Sequence, residues 1–119
     1  MGSYVDKLEL ENDYLKSLII PQLKSFCKNI ALECRIRYEL FTSDIKDNVS
    51  IVESIDINLN LLIDDMFHYF HVNNENIEFF TSLFFNELEK IEEWKNAFST
   101  FGKDFEHTKD ILIDFFENH

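Results

Sequence analysis

The residues best suited to chemistry in this chain are Asp64, His68 and His71, with Asp65 beside them. They stand at i, i+4 and i+7, so in a helix they share one face. Two imidazoles and a carboxylate are a donor set for a divalent transition metal. The same spacing also describes a solvated polar stripe opposite Met66, Phe67 and Phe70, and on that reading we expect no metal and no cofactor. The usual metal motifs of helical enzymes are missing. Neither the Glu-x-x-His of di-iron bundles nor the His-Glu-x-x-His of zinc proteases occurs.

Other catalytic constellations fail on spacing. Cys27 and Cys34 are seven residues apart in a stretch that reads as helix. That is a rise of about 10 Å, beyond the roughly 7 Å between Cα atoms that a disulfide allows. Both fall on an apolar face with no histidine nearby in sequence, so we expect reduced core thiols rather than nucleophiles. Arg35 and Arg37 lack the histidine four to six residues on that small helical ribonucleases carry. Gly102 is the one interior glycine, which removes Gly-rich phosphate loops. The chain therefore reads as a non-enzyme.

Charge and elements carry the rest. The 119 residues suit a single domain, taken as 1–119. They include 23 acids and 11 bases, a net charge of -12. A free-standing nucleic-acid binder would be basic, so direct nucleic-acid binding is not expected. A content of 45% hydrophobic residues excludes a disordered acidic tail. No run approaches the length of a membrane span and no signal peptide is visible, which points to a cytoplasmic protein. With 2 Gly and 1 Pro the chain is starved of tight turns, which favours long helices.

The expected class is all-α, a bundle of four or five helices. The first runs from Tyr4 to Ile20, with Val5, Leu8, Leu15, Leu18 and Ile19 on one side and Asn12 interrupting. Pro21 ends or kinks it and suits the start of a second helix bearing Leu23, Phe26, Cys27, Ile30, Ala31, Cys34, Tyr38, Phe41 and Ile45. A break follows at Asp47 and Asn48. Residues 55–61 alternate as a strand would, yet Val52, Ile55, Leu59, Leu62, Ile63, Met66, Phe67 and Phe70 also step by three and four. We read helix, since no partner strand is in sight, with Asn48 or a Ser50-x-x-Glu53 box capping it. Asn73 and Asn74 mark the next break. A fourth helix runs from Ile77 to Phe101, Gly102 closes it, and Asp104 caps a last helix bearing Phe105, Leu112, Phe115 and Phe116.

Residues 1–60 hold 10 acids and 7 bases, a net of -3, whereas residues 61–119 hold 13 acids and 4 bases, a net of -9. Glu87, Glu89, Glu92 and Glu93 cluster on the fourth helix, and Asp110 and Asp114 stud the last. Phe79 and Phe85 point away from the buried face centred on Phe84, either to pack on a flanking helix or to serve as anchors within the acidic rim. These eight residues are the candidate surface for a basic partner.

In size, acidity, helical class and lack of catalytic motifs the chain resembles the small acidic immunity proteins of bacterial toxin systems, including contact-dependent growth inhibition. It is similar at the same level to phage inhibitors that imitate nucleic-acid charge. The first resemblance implies a protein that neutralises a basic toxin domain, often a nuclease. The second implies a DNA-mimic or anti-defence inhibitor. A metal-binding helical enzyme or sensor is the further alternative.

Overall fold

The computed structural model describes the backbone of residues 13–43 and 48–119, and side chains from Leu18 to Ser43 and from Val49 onward. Val5, Leu8, Asn12 and Ile45, with the side chains of Leu15 and Asn48, lie outside the described residues. Those described form five α-helices and no strand: α1 Asp13–Phe41, α2 Asn48–Tyr69, α3 Ile77–Leu88, α4 Glu92–Phe101 and α5 His107–Glu117. A 3₁₀ turn, Gly102–Glu106, joins the last two. The all-α class is as expected, but three boundaries differ.

First, α1 runs unbroken through Pro21 instead of dividing there. A proline inside a helix forfeits one hydrogen bond and crowds the carbonyl four residues back, at a cost of about 3 kcal/mol. Continuing the helix keeps Ile19, Leu23, Cys27, Ile30, Ala31 and Cys34 on one buried stripe. Each large apolar side chain so buried contributes roughly 1.5–3 kcal/mol, so the stripe outweighs the proline. Pro21 itself faces solvent.

Second, the expected fourth helix is two helices. The chain turns at Glu89 and Lys90, and Ile91 is extended, with φ -73 and ψ 132. A continuous helix would stack Glu89 against Glu92 and Glu93 at i+3 and i+4, both like-charge pairs. The break separates them and puts Glu92 and Glu93 in the first turn of α4, where the helix dipole favours acids.

Third, Asp104 lies in the 3₁₀ turn and caps nothing; α5 begins at His107. The turn drops Phe105 fully into the core, against Trp94, Phe98, Phe101 and Tyr38. Gly102 does close α4, with φ 71 and its N–H donated to the Phe98 carbonyl. Ser50 likewise sits inside α2, and its carbonyl accepts the Ser54 hydroxyl, so no capping box forms there.

Residues 55–61 are helical: Ile55 and Leu59 are buried, while Ile57 and Leu61 are exposed. The four-residue step, not the alternation, sets the inward face. α2 lies antiparallel to α1, since Arg37 meets Asp56 at one end and Phe26 meets Tyr69 and Phe70 at the other. α3 and α4 also pack on α1, Cys27 facing the Phe84 carbonyl and Lys28 reaching Glu93. Phe116 of α5 packs on Phe84 of α3 and on Phe67 of α2.

Pro21→Ala should raise stability by about 1–3 kcal/mol in urea unfolding, because it restores the lost hydrogen bond without disturbing a buried contact. A chain that gained nothing would have its helix divided at residue 21.

Candidate functional site

Of the eight candidate residues, the structure separates those free to meet a partner from those already engaged. Glu87 is not on the surface. It is 2% exposed and accepts a hydrogen bond from Lys90 Nζ at 3.1 Å. It follows Phe84 by three residues and Phe80 by seven, so α3 turns it inward with them. Glu89 is exposed but pairs with Lys109 of α5, and Glu93 lies 3.8 Å from Lys28 of α1. Phe79 and Phe85 are half-buried against the core, and the Phe85 ring packs against Phe84 and Phe116 at 5.2 and 6.0 Å. Neither ring projects from the surface as an isolated anchor.

Glu92, Asp110 and Asp114 are exposed. The last two belong to a longer row. Glu106, Asp110, Asp114 and Glu117 are all exposed, at steps of four, four and three, so they follow one side of the final turn and α5. Leu112 and Phe116 are buried on the opposite side. Among the described residues, Glu106, Asp114 and Glu117 have no cationic partner within ion-pair distance. Asp110 has only His107, at 3.9 Å. Glu106 closes the 3₁₀ turn and the other three belong to α5, so the row runs across that junction.

The three residues first considered for a metal are rearranged by the end of α2. His71 leaves the helix with φ 56. Its N–H goes back to the His68 carbonyl and the Val72 N–H to the Phe67 carbonyl, the paired bonds of a Schellman cap. Asn76, fully buried, holds this turn from behind: its side-chain amide donates to the His71 carbonyl and its oxygen accepts the Asn73 N–H. Asp64 and His68 stay one turn apart, with Oδ1 and Nε2 separated by 3.7 Å. Among the described residues, no three His, Cys, Asp or Glu side chains stand ready at metal-ligating distances.

No protein family, no curated protein and no solved structure matches this chain. Its chemistry must be read from its own residues. Both thiols are buried and free. Burial pushes the Cys27 thiol pKa far above the ordinary range, and the charge of Glu87 adds to the rise. Burial does the same for Cys34; Arg37 opposes it, while Glu33 and Asp56 add to it. Neither can supply a thiolate near neutrality. Among the described residues, no helix is long and apolar enough to cross a membrane.

Sequence reasoning missed His119, which approaches Asp64 from the other end of the chain, and it counted Glu87 as exposed. The second error was avoidable, because the Phe80–Phe84 stripe continues through residue 87.

The thiols give a pH prediction. A pKa raised in the folded state means that unfolding releases protons once the pH passes the ordinary thiol value of about 8.5. Stability should therefore be intact below that pH. Above it, stability should fall by as much as about 1.4 kcal/mol per thiol for each pH unit. A thiol-specific colorimetric reagent at pH 8 should label neither cysteine until denaturant is added, and rapid labelling of the native chain would contradict the burial.

Proposed function

We propose that this chain is a non-enzymatic inhibitor that binds a basic protein, in the manner of an immunity protein neutralising a nuclease toxin domain. The observation that supports it best is the exposed row formed by Glu106 at the end of the 3₁₀ turn and by Asp110, Asp114 and Glu117 on α5, of which Asp110 alone has a basic side chain, His107, within ion-pair distance among the described residues. Two of the nearby lysines are engaged, Lys90 by Glu87 and Lys109 by Glu89, while Lys95 shares a recess with Glu106. A nuclease grips phosphate with lysine and arginine, and a row of carboxylates presents them with a competing anionic surface. Glu92 and, after release of Lys109, Glu89 extend this surface onto α4 and the turn before it. The half-buried Phe85 and Phe79 act by holding the helices that carry the acids, rather than as inserted anchors.

Charge of this kind acts mainly on encounter. Rim charges speed association and make it salt-dependent, whereas packed contacts govern dissociation. The test is Asp110→Lys combined with Asp114→Lys, two exposed changes that leave the core untouched. Against a basic nuclease domain that the native chain inhibits, association should slow by about tenfold and lose most of its salt dependence. Equal rates and equal salt dependence for the variant would sink this reading. Displacement of the native chain from a DNA-binding protein by duplex DNA, with no nuclease inhibited, would favour the DNA-mimic reading instead.

A further inference from the structure

Helix α1 has a second organised side. Leu18, Gln22, Ser25, Asn29, Leu32 and Ile36 recur at steps of four and three, and every one is exposed. That spacing is the seam of a coiled coil, and it runs along the side of α1 opposite its buried stripe. α2 repeats the pattern with Ser50, Ser54, Ile57 and Leu61, again exposed and again opposite its buried residues. Ile57 and Leu61 are 61% and 57% exposed, and Leu18 and Ile36 are 52% and 46% exposed. The outer side of a surface helix normally carries charge. In a chain that is 29% charged, none of these ten positions is.

The two lines lie side by side. α1 and α2 are antiparallel neighbours, and α3 and α5 meet the pair through buried side chains such as Cys27 and Phe67. Both lines are thereby left on the open side of the pair. Arg37 stands level with Asp56, and Phe26 with Tyr69 and Phe70. Counting along both helices from these contacts, Ile36 stands level with Ile57 and Leu32 with Leu61. The two helices also differ in charge. α1 has three acids and five bases, a net of +2, whereas α2 has four acids and neither lysine nor arginine, a net of -4.

We propose that a second copy of this chain covers this side, giving a two-fold dimer in which each α1 lies on the other copy's α2. A two-fold axis running along the helices keeps every residue at its own height. Ile36 of one copy then meets Ile57 of the other, and Leu32 meets Leu61, each contact occurring twice. The same axis sets the net positive helix against the net negative one. Pairing α1 with α1 and α2 with α2 would instead oppose helices of like net charge. The size of the side is also sufficient. α2, with 22 residues, is about 33 Å long, and two packed helices are about 20 Å wide. The side therefore measures about 660 Å² per copy and about 1,300 Å² in all, within the roughly 1,200–2,000 Å² of stable interfaces. The acidic row belongs to the 3₁₀ turn and α5, outside this side, so the dimer and the inhibitor reading stand or fall separately.

The test is the mass of the full chain in solution. Sedimentation equilibrium should show a dimer of twice 14.3 kDa that dissociates on dilution. Ile57→Glu and Leu61→Glu, both at exposed positions, should leave the helical circular dichroism unaltered and each weaken the dimer by about thirtyfold or more. Ile113→Glu, at an exposed apolar position on α5, should leave the dimer intact. Ile36→Lys should weaken it, and mixing that variant with Ile57→Glu should give a heterodimer tighter than either variant alone, since the introduced opposite charges then face each other. A monomer at every concentration, which would leave this side to a different protein, would overturn the proposal. So would a dimer that Ile57→Glu and Leu61→Glu leave intact. A mixture no tighter than its parts would overturn the pairing of α1 with α2.

Discussion

Everything in this fold leans on the uninterrupted apolar stripe of α1. Three other helices use it as a common wall, so its direction must be the same before and after Pro21. A break there would free Ile19 and its neighbours from the line that Leu23, Cys27 and Ile30 define. The helix tolerates a poor residue because the cost is local, while the burial it protects runs the length of the element. Its small side chains matter as much as its large ones. The only two alanines of the chain, Ala31 on α1 and Ala97 on α4, are both fully buried on helices that pack together. Small residues let two backbones approach closely, and the rings then fill the space around them.

Those rings form two connected groups. Phe67, Phe70, Phe80, Phe84 and Phe116 tie α2, α3 and α5 together, many of them tilted or edge-on. Tyr38, Trp94, Phe98, Phe101 and Phe105 do the same for α1, α4 and the 3₁₀ turn. Such pairs add stability beyond the area they bury. This bears on charge. Residues 61–119 carry a net charge of -9, and like charges on a compact surface repel. The same stretch holds Trp94 and most of the phenylalanines. The densest aromatic packing therefore sits under the strongest repulsion, which lets the surface remain acidic without loosening the helices.

Periodicity made the class and most of the core legible in the sequence. Cys27, Cys34, Leu59, Ile63, Phe84 and Leu112 are all buried where three- and four-residue steps put them. What was not legible came from competition between local and tertiary terms. Pro21 is a helix breaker by propensity, and tertiary burial overrules it. The break at Glu89–Ile91 has no glycine or proline to announce it; it follows from acid repulsion and from the separate seating of Trp94. Phe105 shows the reverse case, where a helical position was expected and a buried ring demanded a tighter turn. The candidate surface was half legible: Asp110, Asp114 and Glu92 are exposed, while Lys28, Lys90 and Lys109 engage three of the glutamates through contacts that sequence spacing reveals for Lys90 alone.

α5 is the element that carries most of the acidic row. Leu112 and Phe116 fix its rotation by entering the core between α2 and α3. Once they are seated, a helix leaves no further freedom: residues at 110, 114 and 117 must face solvent, and the chain after Phe116 must turn back toward Phe67. The acidic row and the approach of His119 to Asp64 are thus two consequences of one packing arrangement. A change that rotated α5 would disturb both. A change confined to an exposed carboxylate would disturb only the charge.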